Sequence, residues 1–241
     1  MRYAIFSDVH SNVESLQTAL DMLEADETVV SLGDVVGYGP NPNECVEVLR
    51  GRATHAVLGN HDLAALENFG VERFNSVART AIEWTQQQLN AQSRQWLDAL
   101  PYELRFPDFL LVHGAPVHYF EYILDKETAA AAFKRTDARL IFIGHTHIAE
   151  YWDCDENGAI GHKHMQSGGE LTLEPGKRYI IDVGSVGQPR DLNPDALFVR
   201  YDSENGRVQW IRYPYPIADV ARKMRDAGLP EYLAERLTLG R

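Results

Sequence analysis

What most constrains this chain is a repeated context: five apolar, strand-like runs that each lead into a short polar island. YAIFS runs into Asp8-Val9-His10, TVVSL into Gly33-Asp34, HAVL into Gly59-Asn60-His61-Asp62, FLLV into His113-Gly114, and LIFI into Gly144-His145-Thr146-His147. A strand followed by a polar turn sets its side chains at the carboxyl edge of a parallel sheet, where ligands gather in open α/β folds. Side chains from five separate segments are thereby predicted to converge on one edge. The glycines in these islands also suit turns that need unusual backbone angles, and the same turns would aim the polar side chains.

The residue types in the islands suit divalent metals. First-row ions bind imidazole nitrogen and carboxylate or amide oxygen, and the protein selects among them by ligand type and geometry. Two ions roughly 3.5–4 Å apart can clamp the attacking and departing oxygens of an in-line displacement at phosphorus. Such a pair needs a bridging ligand, and a short carboxylate such as Asp34 reaches both ions. It also needs terminal ligands, which Asp8, His10, Asn60, His113, His145 and His147 can supply. His61 is then a spare imidazole beside the site, free for acid–base work.

In order and spacing these islands resemble the calcineurin-like metallophosphoesterases, whose pattern is D-x-H, G-D, G-N-H-[DE], H and G-H-x-H. The resemblance covers roughly residues 1–190, and the conjunction is specific although each island alone is weak. It implies that one metal takes Asp8, His10 and His147, the other Asn60, His113 and His145, with Asp34 between them. It further implies a metal-bridging hydroxide as nucleophile, and His61 stabilising the transition state or protonating the leaving oxygen.

One departure narrows the branch. After Gly33-Asp34 the chain continues VVGYGPNPNE, where the eukaryotic protein-phosphatase branch carries G-D-x-x-D-R-G. The phosphate-gripping arginine of that branch is absent from this position, which disfavours a phosphoprotein substrate. With the stretch Gly184 to Asp191, the pattern is similar to the small prokaryotic phosphoesterase/phosphodiesterase branch, and Arg190 becomes the candidate phosphate contact.

A lone histidine is more often a surface or satisfied core residue than a ligand, so His55, His118, His162 and His164 are assigned no role. A stray metal at His162-Lys163-His164 and a substrate-side position for His118 are the alternatives.

Composition fits a soluble enzyme. A chain of 241 residues can bury one large α/β core. No apolar run approaches the roughly 18 residues of a membrane span. No signal peptide is expected either, because Arg2 to Phe6 already reads as the first strand. Cys45 and Cys154 lack metal spacing and read as reduced thiols of a cytoplasmic protein. With 23 basic against 35 acidic residues the net charge is −12, which argues against stable nucleic-acid binding. Bound metals can still make a local positive spot for a small phosphate ester.

Along the chain, Val13, Leu16, Leu20 and Leu23 recur at helical spacing. Asn41-Pro42-Asn43-Glu44 has the residues of a helix start, with Asn as cap and Glu three residues on. Residues 74–100 are predicted to form two helices, with Ile82, Trp84, Trp96 and Leu97 as apolar contacts. They either cover the metals as a lid or pack against the sheet. After His147 the turns Asn157-Gly158, Glu174-Pro175-Gly176 and Asn205-Gly206 mark antiparallel strands. RYIIDVG, ALFVRYD and VQWIRYPY are expected to form a second sheet, and the C-terminal segment two short helices broken at Gly228-Leu229-Pro230. The expected fold is one αββα sandwich of residues 1–241 with two mixed sheets.

The expected function is metal-dependent hydrolysis of small phosphate esters, diesters or nucleotides before phosphoproteins. A phosphomonoesterase or a dinucleoside polyphosphate hydrolase is the alternative among enzymes. A non-catalytic binding scaffold of the same fold would be expected to lose a ligand or His61, and here all are intact. Mixed nitrogen and oxygen ligation suits Mn, Fe, Zn, Co or Ni, with Mn favoured. Nothing in the sequence specifies an oligomeric state.

Overall fold

The computed structural model describes all 241 residues. In chain order, β1 (Arg2–Phe6) leads to α1 (Val13–Asp21), β2 (Glu27–Ser31), α2 (Pro42–Arg52), β3 (Ala53–Ala56) and α3 (Asn60–Glu67). A short 3-10 turn (Val71–Arg73) precedes α4 (Ser76–Gln88), α5 (Ala91–Asp98), β4 (Glu103–Arg105) and β5 (Phe109–Val112). Then come α6 (Lys126–Arg135), β6 (Leu140–Ile143), β7 (Ala149–Cys154), β8 (Ile160–His164) and β9 (Gly169–Thr172). The chain closes with β10 (Arg178–Val183), β11 (Ala196–Asp202), β12 (Arg207–Tyr213), α7 (Ile217–Asp226) and α8 (Glu231–Leu237).

The strands form two six-stranded mixed sheets, ordered β3-β2-β1-β11-β12-β9 and β4-β5-β6-β10-β7-β8. Side chains alternate across a strand, and that alternation sorts each apolar run into two cores. Tyr3 and Ile5 meet Phe109, Leu111, Leu140 and Phe142 between the sheets. Ala4 and Phe6 turn the other way, under Leu16, Leu49, Ile82, Leu97, Val220 and Leu233 of the large helical layer. Leu110, Val112, Ile141 and Ile143 pack against Ala129 and Phe133 of α6 on the far side. Strands buried on both faces read as unbroken apolar runs, and the layer order is αββα as expected.

Two expectations need correction. Of the three late strands assigned to a second sheet, only β10 lies there; β11 and β12 extend the sheet begun by β1. β11 runs antiparallel beside β1, with Tyr3 opposite Tyr201 and Phe6 edge-on to Phe198 at 5.2 Å. The metal-type islands therefore do not share one sheet edge. Those after β1, β2 and β3 leave one sheet and those after β5 and β6 leave the other, so they meet where the two sheets lie together.

Local signals fared better. Asn12 caps α1 by accepting from Ser15 N–H at 3.1 Å. Pro42 opens α2, but Asn41 donates its side-chain amide to Glu44 at 3.1 Å instead of accepting from the helix. α4 and α5 pack against α2 and α3, with Ile82 and Leu97 fully buried, so these helices serve the core. Only the approach to them, Phe69 to Phe74, reaches the site described below. Both cysteines are free thiols. No helix is long and apolar enough to cross a membrane.

Candidate metal centre

The site is built by backbone held where L-residues rarely go. Asp8, His10, Asp34, His145 and His147 all have positive φ, at 53°, 46°, 51°, 70° and 62°. Non-glycine residues there cost on the order of 1–3 kcal/mol each and persist only where their surroundings fix them. The islands fix one another. Asp8 N–H donates to Gly33 O at 3.1 Å, His10 N–H to Asp34 O at 2.9 Å, and His145 N–H to Asp8 Oδ2 at 2.9 Å. Two glycines permit this crowding: a Cβ on Gly59 would lie 2.1 Å from Asp34 N, and one on Gly144 would lie 1.9 Å from Ser7 Oγ.

The side chains gather into two groups. Asp8, His10 and His147 offer ligand atoms within 4.8 Å of one another, and so do Asp34, His113 and His145; all six residues are buried. Asn60 Oδ1 joins the second group, 3.1 Å from His113 Nε2. Asp34 Oδ2 stands between them, 3.6 Å from His10 Nε2 and 3.4 Å from His113 Nε2. A single carboxylate oxygen thus faces both groups.

Each histidine has its outward nitrogen committed to a backbone carbonyl. His10 Nδ1–H donates to Val36 O at 3.0 Å, His113 Nδ1–H to Leu32 O at 2.8 Å, and His147 Nδ1–H to Gln188 O at 2.7 Å. His145 is turned round, with Nε2–H donating to Phe120 O at 3.1 Å. A carbonyl only accepts, so in each neutral ring the inward nitrogen keeps its lone pair, the arrangement typical of metal-ligating histidines, and His113 reaches that form by giving up a proton. The inward nitrogens then face each other at 3.2 Å (His10 and His147) and 3.1 Å (His113 and His145). Opposed lone pairs repel unless a cation or a proton lies between them. Asp8 Oδ1 is buried without a hydrogen-bond partner, 3.2 Å from His147 Nε2. The donor set fits a pair of divalent ions.

The titration behaviour follows from this crowding. Burial pushes the Asp8 carboxyl up to about 6, with Asp34 adding to the effect against His113. Burial alone would raise Asp34 too, but His113, His61 and His10 outweigh it and hold this carboxyl below its ordinary range. Burial likewise pulls on His113, yet Asp34 and Asp8 win and carry it up to about 9. Burial holds His10, His145 and His147 well below the ordinary imidazole range, in the neutral form a metal ligand needs.

His61 sits at the start of α3, beside the two groups, its ring 4.8 Å from His10, 4.4 Å from Tyr38 and 4.7 Å from Phe74. Its Nδ1 is buried without a partner. Burial, opposed by Asp34 and helped by Arg190, lowers it to about 4. Arg190 hangs from the loop that holds His147, its N–H donating to His147 O at 3.1 Å. Its guanidinium lies over the Tyr38 ring at 5.6 Å and donates to Gln188 Oε1 at 3.0 Å, while Nε is buried and unpartnered. Its charge helps lower His10, His61, His145 and His147, after the larger effect of burial.

Sequence reasoning missed several contributors. Asp62 was read only as the end of its motif, but its carboxylate accepts from Val36 N–H at 3.0 Å and Gly59 N–H at 3.1 Å, locking two islands together. Asn60 and His145 form the floor of a cleft of about 170 Å³ with Phe69, Arg73, Phe74, Phe120 and Tyr122 around it. Tyr122 stacks on His145 at 3.8 Å, and Phe69 is 57% exposed. These aromatics lie several residues beyond Asp62 and Gly114, so no motif pointed to them. Arg236 of α8 lies near Arg190 and Tyr38, too far along the chain for any motif to indicate. A larger cleft, about 550 Å³, opens at the other end of β5 and β6, among Arg105, Phe109, Leu140 and Tyr201, away from these groups. His55 packs on Phe106 and stays outside the site.

Comparison with known proteins agrees with this geometry. The profile of the calcineurin-like phosphoesterase superfamily domain matches residues 1–206. Uncharacterized protein MJ0912 of Methanocaldococcus jannaschii is 35% identical over 246 residues, spanning 99% of this chain and 98% of its own. The crystal structure of a metallophosphoesterase from Sphaerobacter thermophilus superposes with a TM-score of 0.90 at 43% identity, covering 100% of both chains. Protein PH1004 of Pyrococcus horikoshii OT3 shares the fold, with a TM-score of 0.79 at 18% identity over 100% of this chain and 98% of its own. With these matches spanning the residues that carry the two side-chain groups, the chain belongs to the calcineurin-like phosphoesterase superfamily.

Proposed function

We propose that the protein is a binuclear phosphodiesterase acting on small esters that carry an aromatic or nucleoside group. The observation that carries this reading is the aromatic cleft beside the two ligand groups. One group would be Asp8, His10 and His147, the other Asn60, His113 and His145, with Asp34 Oδ2 common to both. Two divalent ions held there, Mn in the favoured case, would clamp the oxygens of an in-line displacement at phosphorus and supply an activated water.

The chain's own residues do the rest. Arg190 offers a guanidinium with an unpartnered Nε to a non-bridging phosphate oxygen. His61, neutral at pH 7 because its buried ring is lowered to about 4, donates an N–H hydrogen bond to charge developing on the leaving oxygen. Phe69, Phe74, Phe120 and Tyr122 give a flat ester group something to stack on. A diester needs such a second recess, whereas a monoester's extra charge rewards cations. Arg73 stands at the cleft but is 88% exposed, so water screens its pull on phosphate. A small ester with no stable nucleic-acid or membrane contact fits the −12 net charge, and a cytoplasmic setting suits two free thiols.

The test is kcat/KM for a bis-aryl phosphate, a nucleotide diester and an aryl monoester, with Mn-reconstituted protein. The diesters should lead. A monoester advantage of tenfold or more, about 1.4 kcal/mol, would replace this reading with a phosphomonoesterase. Arg190→Ala should lower kcat/KM about 10–100-fold, the value of one charge-assisted hydrogen bond of about 1.5–3 kcal/mol.

A further inference from the structure

The β7–β8 hairpin carries a third ligand group, made of residues outside the five islands. Glu150 on β7 lies directly opposite His164 on β8, and Trp152 opposite His162, so all four side chains share one face of the sheet. Both imidazoles point at the same carboxylate oxygen: His162 Nε2 is 2.8 Å and His164 Nδ1 is 3.0 Å from Glu150 Oε2. The His162 ring is fixed by stacking on Trp152 at 3.8 Å and 14°. Glu150 is buried, and its ion-pair partners are these two rings. On its other side, Asp182 of β10 lies opposite it in register, fully buried and accepting from Thr146 Oγ at 2.7 Å. Glu150 therefore meets two imidazoles on one side and has a second buried carboxyl, Asp182, as its neighbour on the other.

We infer that Glu150, His162 and His164 form a separate binding site for a divalent transition-metal ion of the zinc class. Two imidazole nitrogens and one carboxylate oxygen are a ligand set for zinc, which in three-ligand sites keeps an open position for water. Zinc bonds of about 2.0–2.2 Å at tetrahedral angles put ligand atoms about 3.3–3.5 Å apart. The three ligand atoms already lie within 4.8 Å of one another, and the two short contacts need open by only about 0.5 Å. Access is provided by His164, whose side chain is 63% exposed, while Trp152 and the β7–β8 pairing hold the rest in place. An ion there would pin the edge strand β8 to β7. Through Asp182 and Thr146 it would also abut the loop carrying His145 and His147. This site is independent of the function proposed above.

The test uses full-length protein stripped with chelator and reloaded with zinc, read by anomalous diffraction at the zinc edge and by calorimetric titration. A zinc peak ligated by Glu150, His162 and His164 is expected. His164→Ala, at an exposed position, and Glu150→Gln, which keeps side-chain shape, should each weaken the corresponding binding event at least about tenfold, the lower bound for losing even an outer partner of a metal site. Because the peak is read by position, ions beside Asp34 do not enter the result. Absence of a peak among these three residues would overturn the inference. So would a peak in crystals whose solution affinity is unchanged in both variants, since that is an adventitious ion only.

Discussion

Replacing Asp34 with asparagine separates the charge of the bridge from its shape. Asp34 Oδ1 accepts the His61 backbone N–H at 2.8 Å, and the asparagine carbonyl can keep that bond. The new amide then stands where Oδ2 was, 3.6 Å from His10 Nε2 and 3.4 Å from His113 Nε2, and can donate to their lone pairs. The metal-free variant should therefore stay folded, with Tm within about 4 °C of the parent, equivalent to roughly 1 kcal/mol in a chain of this size. Metal binding should suffer twice, because each ion loses the same anionic ligand. Removing even an outer partner costs a metal site about 10–100-fold in affinity. Losing a direct ligand from both ions should thus weaken the pair by at least about 10²–10⁴-fold, or about 2.8–5.6 kcal/mol. Calorimetric titration of Mn into chelator-stripped protein, beside thermal melts of the same samples, reads both quantities. Two ions bound with parental affinity by a folded Asp34→Asn protein would refute the bridge.

His61→Ala should retain both ions by elemental analysis while kcat falls by about 10²–10⁴-fold, the usual value of a positioned proton-transfer or hydrogen-bonding group; loss of metal would show that His61 is a ligand. Gly144→Ala should weaken metal binding and lower Tm, because its Cβ would lie 1.9 Å from Ser7 Oγ and 2.6 Å from Asp8 Oδ2; unchanged metal affinity would show that the loop gives way freely. Asp182 is pushed well above its ordinary value of 3.8, chiefly by burial and then by Glu150, so its neutral form suits the fold. A raised carboxyl contributes stability that is complete below the unfolded value and is lost as pH climbs through the folded one. Asp182→Asn should therefore flatten the decline in denaturant-measured stability above about pH 4, and an unchanged pH slope would count against it.

Much of this was legible because each island states its chemistry and its place at once. An apolar run such as FLLV ending in His113 declares both a buried strand and a ligand at its exit. Sheet membership was not legible. β10, β11 and β12 all alternate into shared apolar cores, and nothing in ALFVRYD distinguishes pairing with β1, some 200 residues away, from pairing with β10. The turn at Asn205-Gly206 announces a reversal but not which sheet receives it. The carbonyls of Leu32, Val36, Phe120 and Gln188 that orient the ligating histidines were equally hidden, since main-chain atoms leave no trace in side-chain identity. His162 and His164 were assigned no role, with a stray metal as the alternative; what the sequence could not supply was the register that sets Glu150 against them.

The central claim, that two ligand groups share Asp34, is tested most directly by locating metal ions in crystals of Mn-loaded protein by anomalous scattering. Two peaks roughly 3.5–4 Å apart are expected, one among Asp8, His10 and His147 and the other among Asn60, His113 and His145, both within bonding distance of Asp34. One peak, or two peaks with Asp34 bonded to neither, would contradict the account.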